Sequence, residues 1–211
     1  MRRYQTFIIL MLFSPLVLAI DNIHVLNPVD ISDWEKKIFS DETRYVPLEH
    51  DGRSALKSIS KASASGLIRS IDIDINNTPY MSWSWKVETL PNGLDETQKS
   101  GDDYSARIYV IVSEGIFFWQ TRALSYVWAS RQNKGSSWPN AFTDSATMFA
   151  IESGNENTGK WVDEKRNIRE DIKTYLGLDV SSIRAVAIMT DTDNSQQSAS
   201  AYYGDIYFTK E

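Results

Sequence analysis

The chain contains no cysteine. That excludes disulfides, a thiol nucleophile and a lipid anchor carried on a cysteine. Histidine is nearly as scarce: His24 and His50 are the only two in 211 residues, so a metal site built on several imidazoles is not available. No Gly-x-Ser-x-Gly elbow and no glycine-rich phosphate loop occurs. Basic residues do not dominate either. Lys and Arg number 22 against 28 Asp and Glu, a formal charge of −6, which argues against a general nucleic-acid binder because such a protein needs a basic face to displace counterions. Beyond Ala19 no apolar run approaches the roughly 20 residues that span a bilayer. Internal repeats and low-complexity stretches are also missing.

What is present begins with an export signal. Arg2 and Arg3 supply a positive end, Phe7 to Leu18 an apolar run interrupted by Ser14 and Pro15, and Val17-Leu18-Ala19 a small-residue cleavage site. Residues 1–19 are therefore expected to be a cleaved signal peptide, and 20–211 a single domain that is periplasmic or secreted, with no membrane insertion after cleavage. Loss of Arg2 and Arg3 takes the formal charge from −6 to −8. The mature length suits one sizeable core.

Aromatic residues make up 12% of the chain, and the pattern around them is that of strands. Ile71, Ile73 and Ile75 alternate with polar neighbours, and Met81, Trp83, Trp85 and Val87 share one face of a segment from Tyr80 to Val87. Tyr45 to Glu49 and Ser54 to Ser60 read as a hairpin around Asp51-Gly52, with Pro47 marking an edge strand. Ser105 to Val112 is apolar enough on one side for a central strand. Thr147 to Ile151, Trp161 to Ile168, Arg184 to Thr190 and Ala199 to Phe208 supply further strands. Glu88 to Gly101 and Ser130 to Asp144 are long polar loops, and Gly115 to Arg122 reads as a turn with three aromatics. Helical spacing is confined to residues 169–176, with Gly177 at the stop. Short strands with regular turn signals and one short helix predict an all-β, antiparallel two-sheet sandwich of jelly-roll type.

Several signatures recur along this frame: Ala64-Ser65-Gly66-Leu67, Trp83-Ser84-Trp85, Asp102-Asp103-Tyr104 leading to Arg107, Tyr126-Val127-Trp128, Glu164-Lys165-Arg166-Asn167, Thr190-Asp191-Thr192-Asp193-Asn194 and Tyr202-Tyr203-Gly204-Asp205-Ile206. Together they resemble the bacterial family DUF3047, exported proteins without an assigned activity, from about Trp34 to Phe208. The Tyr203-Gly204-Asp205 segment is also similar to the closing strand of jelly-roll carbohydrate-binding modules. That second likeness is one of fold and implies no site.

The residues able to carry function are aromatic and acidic. Trp83 and Trp85, two apart on one strand, fill the space between sheets in the plainer reading and line a groove for sugar rings in the sharper one. Asp102 and Asp103 stand beside Arg107, either as a solvated turn or as a carboxylate held in place by a guanidinium. Asp191, Asp193 and Asn194 either form an Asx-turn or, with Asp205 as another candidate, contribute to a calcium site; the Gly and terminal Glu of an EF-hand are missing. The leading expectation is a binding domain for a polar ligand, a carbohydrate or envelope glycan, on a face containing Trp85, Asp102, Asp103, Arg107, Trp128, Asp191, Asp193 and Tyr203, without a resident metal or other cofactor. The alternatives are a carbohydrate-active hydrolase or lyase pairing Asp103 or Asp191 with Glu164, and an envelope interaction module that meets another protein through an aromatic face.

Overall fold

The computed structural model describes residues 23–113 and 121–211. The expected signal peptide lies outside these residues, as does most of the turn expected between Gly115 and Arg122. Chain order in the described residues is β1 (Ile23–Leu26), β2 (Glu35–Ser40), β3 (Arg44–His50), β4 (Arg53–Lys61), β5 (Ala64–Asp74), β6 (Tyr80–Thr89), β7 (Arg107–Ser113), β8 (Thr121–Ala129), β9 (Ser137–Pro139), β10 (Ala146–Ser153), β11 (Val162–Asn167), α1 (Ile168–Leu176), β12 (Ser182–Asp191) and β13 (Ser198–Thr209). A 3-10 turn occupies Lys99–Gly101.

Two sheets result. One runs β11-β6-β13-β4-β3 with β1 added to β13, and the other β2-β5-β12-β7-β8-β10-β9. Among the described residues all strand pairings are antiparallel except β8 with β10, which is parallel, so the larger sheet is mixed. The long connection needed for a parallel pair is the loop that contains β9. Both β2 and β9 lie in stretches that carry no alternating signal. β3 is an edge strand, where Pro47 leaves no central ladder short of a donor. Its hairpin to β4 turns on Asp51 and Gly52 at φ 52° and 72°, the left-handed pair that a two-residue hairpin demands.

The core lies between the sheets. Met81, Trp83, Trp85 and Val87 of β6 face Ile108, Val110 and Val112 of β7, Tyr126 and Trp128 of β8 and Ile188 of β12, all of them buried. An aromatic seam joins the layers, with Trp83 5.2 Å from Tyr126 and Trp85 6.0 Å from Trp128 between ring centroids. Contacts of this kind are each worth about 0.5–1.5 kcal/mol beyond the area they bury. Trp34 packs into the same core and ties down the N-terminal segment. α1 closes one end: Asn167 caps its first turn by accepting from Glu170 N at 3.1 Å, Gly177 ends it at φ 70°, and Ile168, Ile172 and Leu176 enter the core. Among the described residues no helix is long and apolar enough to cross a membrane.

A second, smaller cluster sits on the outer side of the larger sheet, where Tyr104, Val127, Ala129, Trp138, Met148 and Ala150 pack under the two long loops. Those loops are fixed to one another. Buried Glu96 accepts from the Ser130 hydroxyl at 2.7 Å and from Arg131 N at 3.1 Å, while Trp138 Nε1 donates to the Glu96 carbonyl at 3.2 Å. Gly101 is required here, since a Cβ would stand 2.4 Å from the Asp95 carbonyl oxygen.

Candidate functional site

Alternation along β7 and β12 decides what reaches the outer face of the larger sheet. Ile108 and Val110 point into the sandwich, so Arg107 and Tyr109 point out. Ile188 and Thr190 point in, so Met189 and Asp191 point out. Because Arg107 pairs with Met189 in the ladder, Arg107 and Asp191 become neighbours on one surface. The 102–104 segment and the turn after β12 then deliver Asp102, Asp193 and Asn194 to the same place.

The product is a cleft of about 380 Å³. Its floor is Ala64, Arg107, Tyr109, Ala146, Met189 and Asp191. One wall comes from the loop after β9, with Asn140, Phe142 and Thr143; Phe39 of β2 and the pair Asp193 and Asn194 complete the rim. Phe39 is 71% exposed and Phe142 54%, two of the few large apolar side chains left in solvent among the described residues. Lys99 Nζ lies 5.3 Å from the Phe142 ring centroid.

Polar groups in and behind the floor form one network. Arg107 Nη2 donates to Asp191 and Nη1 lies 4.0 Å from Asp102, with the guanidinium 4.9 Å from the Tyr104 ring and 5.6 Å from that of Tyr109. Its Nε, buried and lacking a protein partner, is a donor left over. Asp102 accepts from Asn140 Nδ2 at 2.9 Å. Asp103 accepts from Asn194 N at 3.1 Å and from Ser195 N at 2.6 Å, and so pins the turn that carries Asp193.

Burial raises the Asp102 and Asp191 carboxyls above the ordinary range, with Arg107 pulling both back down. Burial, then the neighbouring Asp103, raises Asp193. Burial opposes the charge on Arg107, but Asp191, Tyr109 and Asp102 outweigh it and hold the guanidinium above its usual value. Tyr109 is pushed up to about 12 by burial and keeps its proton.

Of the residues expected to bind ligand, the fold brings together Asp102, Asp103, Arg107, Asp191 and Asp193. It corrects three others. Trp85, Trp128 and Tyr203 are completely buried between the sheets, where no ligand ring can stack on them. Trp128 Nε1 is spent on the Gly154 carbonyl at 3.1 Å. The Tyr203 hydroxyl accepts from Arg107 N and donates to the Met189 carbonyl. Glu164, the partner named for the hydrolytic alternative, is on β11 in the other sheet, does not line this cleft, and is coupled to Glu152 instead. The rings that do flank the cleft, Phe39 and Phe142, carry no periodic signal in the sequence.

Asp103, Asp191 and Asp193 place oxygens within 4.8 Å of one another and could hold a metal ion. Two of the three are already engaged, Asp191 by Arg107 and Asp103 by two backbone N–H groups. Asp205, the other calcium candidate, lines a different cleft of about 610 Å³ on the smaller sheet, with Arg53, Asp163, Glu164 and Lys165. In that cleft Arg53 is paired with Asp163 at 2.9 Å.

The architecture is a jelly-roll β-sandwich with an aromatic-rimmed cleft over a charged floor on one sheet. The chain belongs to the family described as protein of unknown function (DUF3047), whose model matches residues 32–207. No curated protein matches it by sequence. Among solved structures it is similar to a family 11 carbohydrate-binding module from Clostridium thermocellum in complex with a β-1,3-1,4-mixed-linked tetrasaccharide, at 9% identity and TM-score 0.50 over 91% of this chain and 97% of that one. Similarity at TM-score 0.48 and 9% identity extends to a cellulase derived from Cel12A of Rhodothermus marinus, over 89% of this chain and 100% of that one. For endoglucanase 3 of Trichoderma harzianum, from family GH12, the values are 0.44 and 9%, over 83% and 96%.

Proposed function

We propose that the protein is exported and binds a carbohydrate in the cleft over β7 and β12. The observation that carries this reading is the combination of two exposed rings, Phe39 and Phe142, with a floor that offers both donors and acceptors. Sugar rings present apolar C–H faces to aromatic rings and hydroxyls that donate and accept at once. A hydroxyl at the mouth of the cleft can donate to the partly buried Asp193 carboxylate. The sandwich shared with a module in complex with a tetrasaccharide supports the same class of ligand. Affinity is expected to be moderate, because each hydroxyl exchanges water bonds for protein bonds at small net gain.

Calorimetric titration of the mature chain with the β-1,3-1,4-mixed-linked tetrasaccharide and other oligosaccharides tests this reading. Binding that weakens in Phe39→Ala and Phe142→Ala supports it; a full panel without heat or chemical-shift change rejects it. The hydrolytic alternative loses its pairing of Glu164 with Asp103 or Asp191, because Glu164 lines the cleft on the other sheet, and chromatography of the titrated sugars for shortened products decides whether any carboxylates act on them. Sequencing the N-terminus of the exported protein tests cleavage after Ala19.

A further inference from the structure

The charge inside the cleft is unbalanced in a way that bears on which glycan enters. Asp102, Asp191 and Asp193 line it, Asp103 stands immediately behind, and Arg107 is the single cationic side chain among the described residues of the lining. That cation is already committed to Asp191. Asp193, at the mouth, is only partly buried; its carboxylate accepts from Asn194 Nδ2 at 3.2 Å, and no Lys or Arg pairs with it among the described residues. Lys99 is held over the Phe142 ring, outside the floor.

We infer that this cleft selects glycans bearing free amino groups, such as de-N-acetylated hexosamine chains, and rejects those bearing carboxylate or sulfate groups. The inference rests on the carbohydrate reading above and adds the substrate class. An ammonium group carries three donors and no acceptor, and Asp193 offers it a carboxylate that no Lys or Arg pairs with among the described residues. A uronate or sulfate entering the same space meets three carboxylates and finds the guanidinium taken. Asp102, Asp191 and Asp193 are all held above the ordinary carboxylate range, first by burial, and a bound ammonium relieves that condition. The exposed rings still require a sugar, so a bare polyamine satisfies only half of the site.

The test is calorimetry at about pH 6, where amines of this kind are protonated, using four tetrasaccharides: β-1,4-linked glucosamine, β-1,4-linked N-acetylglucosamine, cellotetraose and tetragalacturonate. The glucosamine tetramer is expected to bind roughly three- to ten-fold more tightly than its N-acetylated counterpart, with tetragalacturonate weakest. Asp193→Asn is expected to narrow the ratio between the first two to about two-fold or less. Spermidine is expected not to displace the glucosamine tetramer at equal concentration. Equal or tighter binding of the N-acetylated or galacturonate chain, an unchanged ratio in Asp193→Asn, or displacement by spermidine overturns the inference and leaves the carbohydrate reading standing. If none of the four binds while the mixed-linked tetrasaccharide does, the inference falls alone; if that sugar and the rest of the panel fail too, the carbohydrate reading falls with it.

Discussion

Tyr203 braces Arg107 from inside the sandwich. Its ring belongs to the core on β13 of the smaller sheet, yet its hydroxyl accepts from Arg107 N at 3.2 Å and donates to the Met189 carbonyl at 2.7 Å in the larger one. The Thr190 hydroxyl, 3.0 Å from the Tyr203 oxygen, donates to the Ser105 carbonyl at 2.8 Å, so the backbone beneath the cleft is tied across both layers. Tyr203→Phe keeps the ring and removes the tie. Denaturant unfolding is expected to show a loss of about 1–2 kcal/mol, as for two buried hydrogen bonds of modest net value. Sugar affinity should fall about two- to five-fold, less than a kcal/mol or so, because Arg107 loses its support and keeps its own contacts.

Removing Arg107 is expected to be far more damaging. Arg107→Met leaves Asp191 and Asp102 buried without their cation, a change that costs about 3–5 kcal/mol for a broken buried pair. Both carboxyls then rise further and take up protons. A carboxyl raised in the folded state contributes stability below its unfolded value and loses it as pH rises through its folded value. The deficit of the variant relative to the parent should therefore widen as pH rises above the ordinary carboxylate range, measured as the difference in thermal midpoint across a buffer series. A deficit independent of pH would show that the guanidinium does not carry the charge balance of the cleft.

Rings on the rim and rings in the core should separate cleanly by measurement. Phe39→Ala and Phe142→Ala remove exposed side chains, so stability should move by no more than about 0.5 kcal/mol, while affinity for a bound oligosaccharide falls about five- to ten-fold with the loss of one stacked ring. Trp85→Phe and Trp128→Phe shrink buried side chains in the seam and should destabilise by about 1–3 kcal/mol, with affinity in the remaining folded protein nearly unchanged. The opposite pattern would return the binding face to the interior tryptophans.

That contrast also marks how far the sequence could be read. Period-two alternation identifies Met81, Trp83, Trp85 and Val87 as one face, and Asp51-Gly52 and Gly177 as turn and stop, because local backbone geometry dictates them. The acidic pieces and Arg107 stand out through their chemistry, although the register of β7 against β12 decides that they meet. Alternation cannot say which face of a strand is inside, and that is why Trp85, Trp128 and Tyr203 are placed wrongly from sequence alone. Phe39 sits in Glu35–Ser40, an edge strand exposed along its whole length, and Phe142 sits in a loop. Neither position leaves a hydrophobic period to detect. The parallel pairing of β8 with β10 depends on the route of a long connection, which composition does not encode.

Glu164 gives the protein a pH response remote from the cleft. It is half-buried on β11, its Oε1 has no hydrogen-bond partner, and burial followed by repulsion from Glu152 raises it from 4.5 to about 7. Glu152 is itself buried, paired with Lys134 and accepting from Asn157 Nδ2 at 3.0 Å, so it cannot move away from the repulsion. A carboxyl raised on folding stabilises the native state below about 4.5, and the contribution drains away as pH climbs through about 7. Discounted for partial exposure, the effect is about 1 kcal/mol, or roughly 2–4 °C in the thermal midpoint of a domain this size. The parent protein should thus lose that much between about pH 5 and pH 8, and Glu164→Gln, neutral throughout, should show a flatter profile and match or exceed the parent at the alkaline end. Parallel profiles for the two proteins would mean that Glu164 titrates as an ordinary solvent-exposed carboxylate.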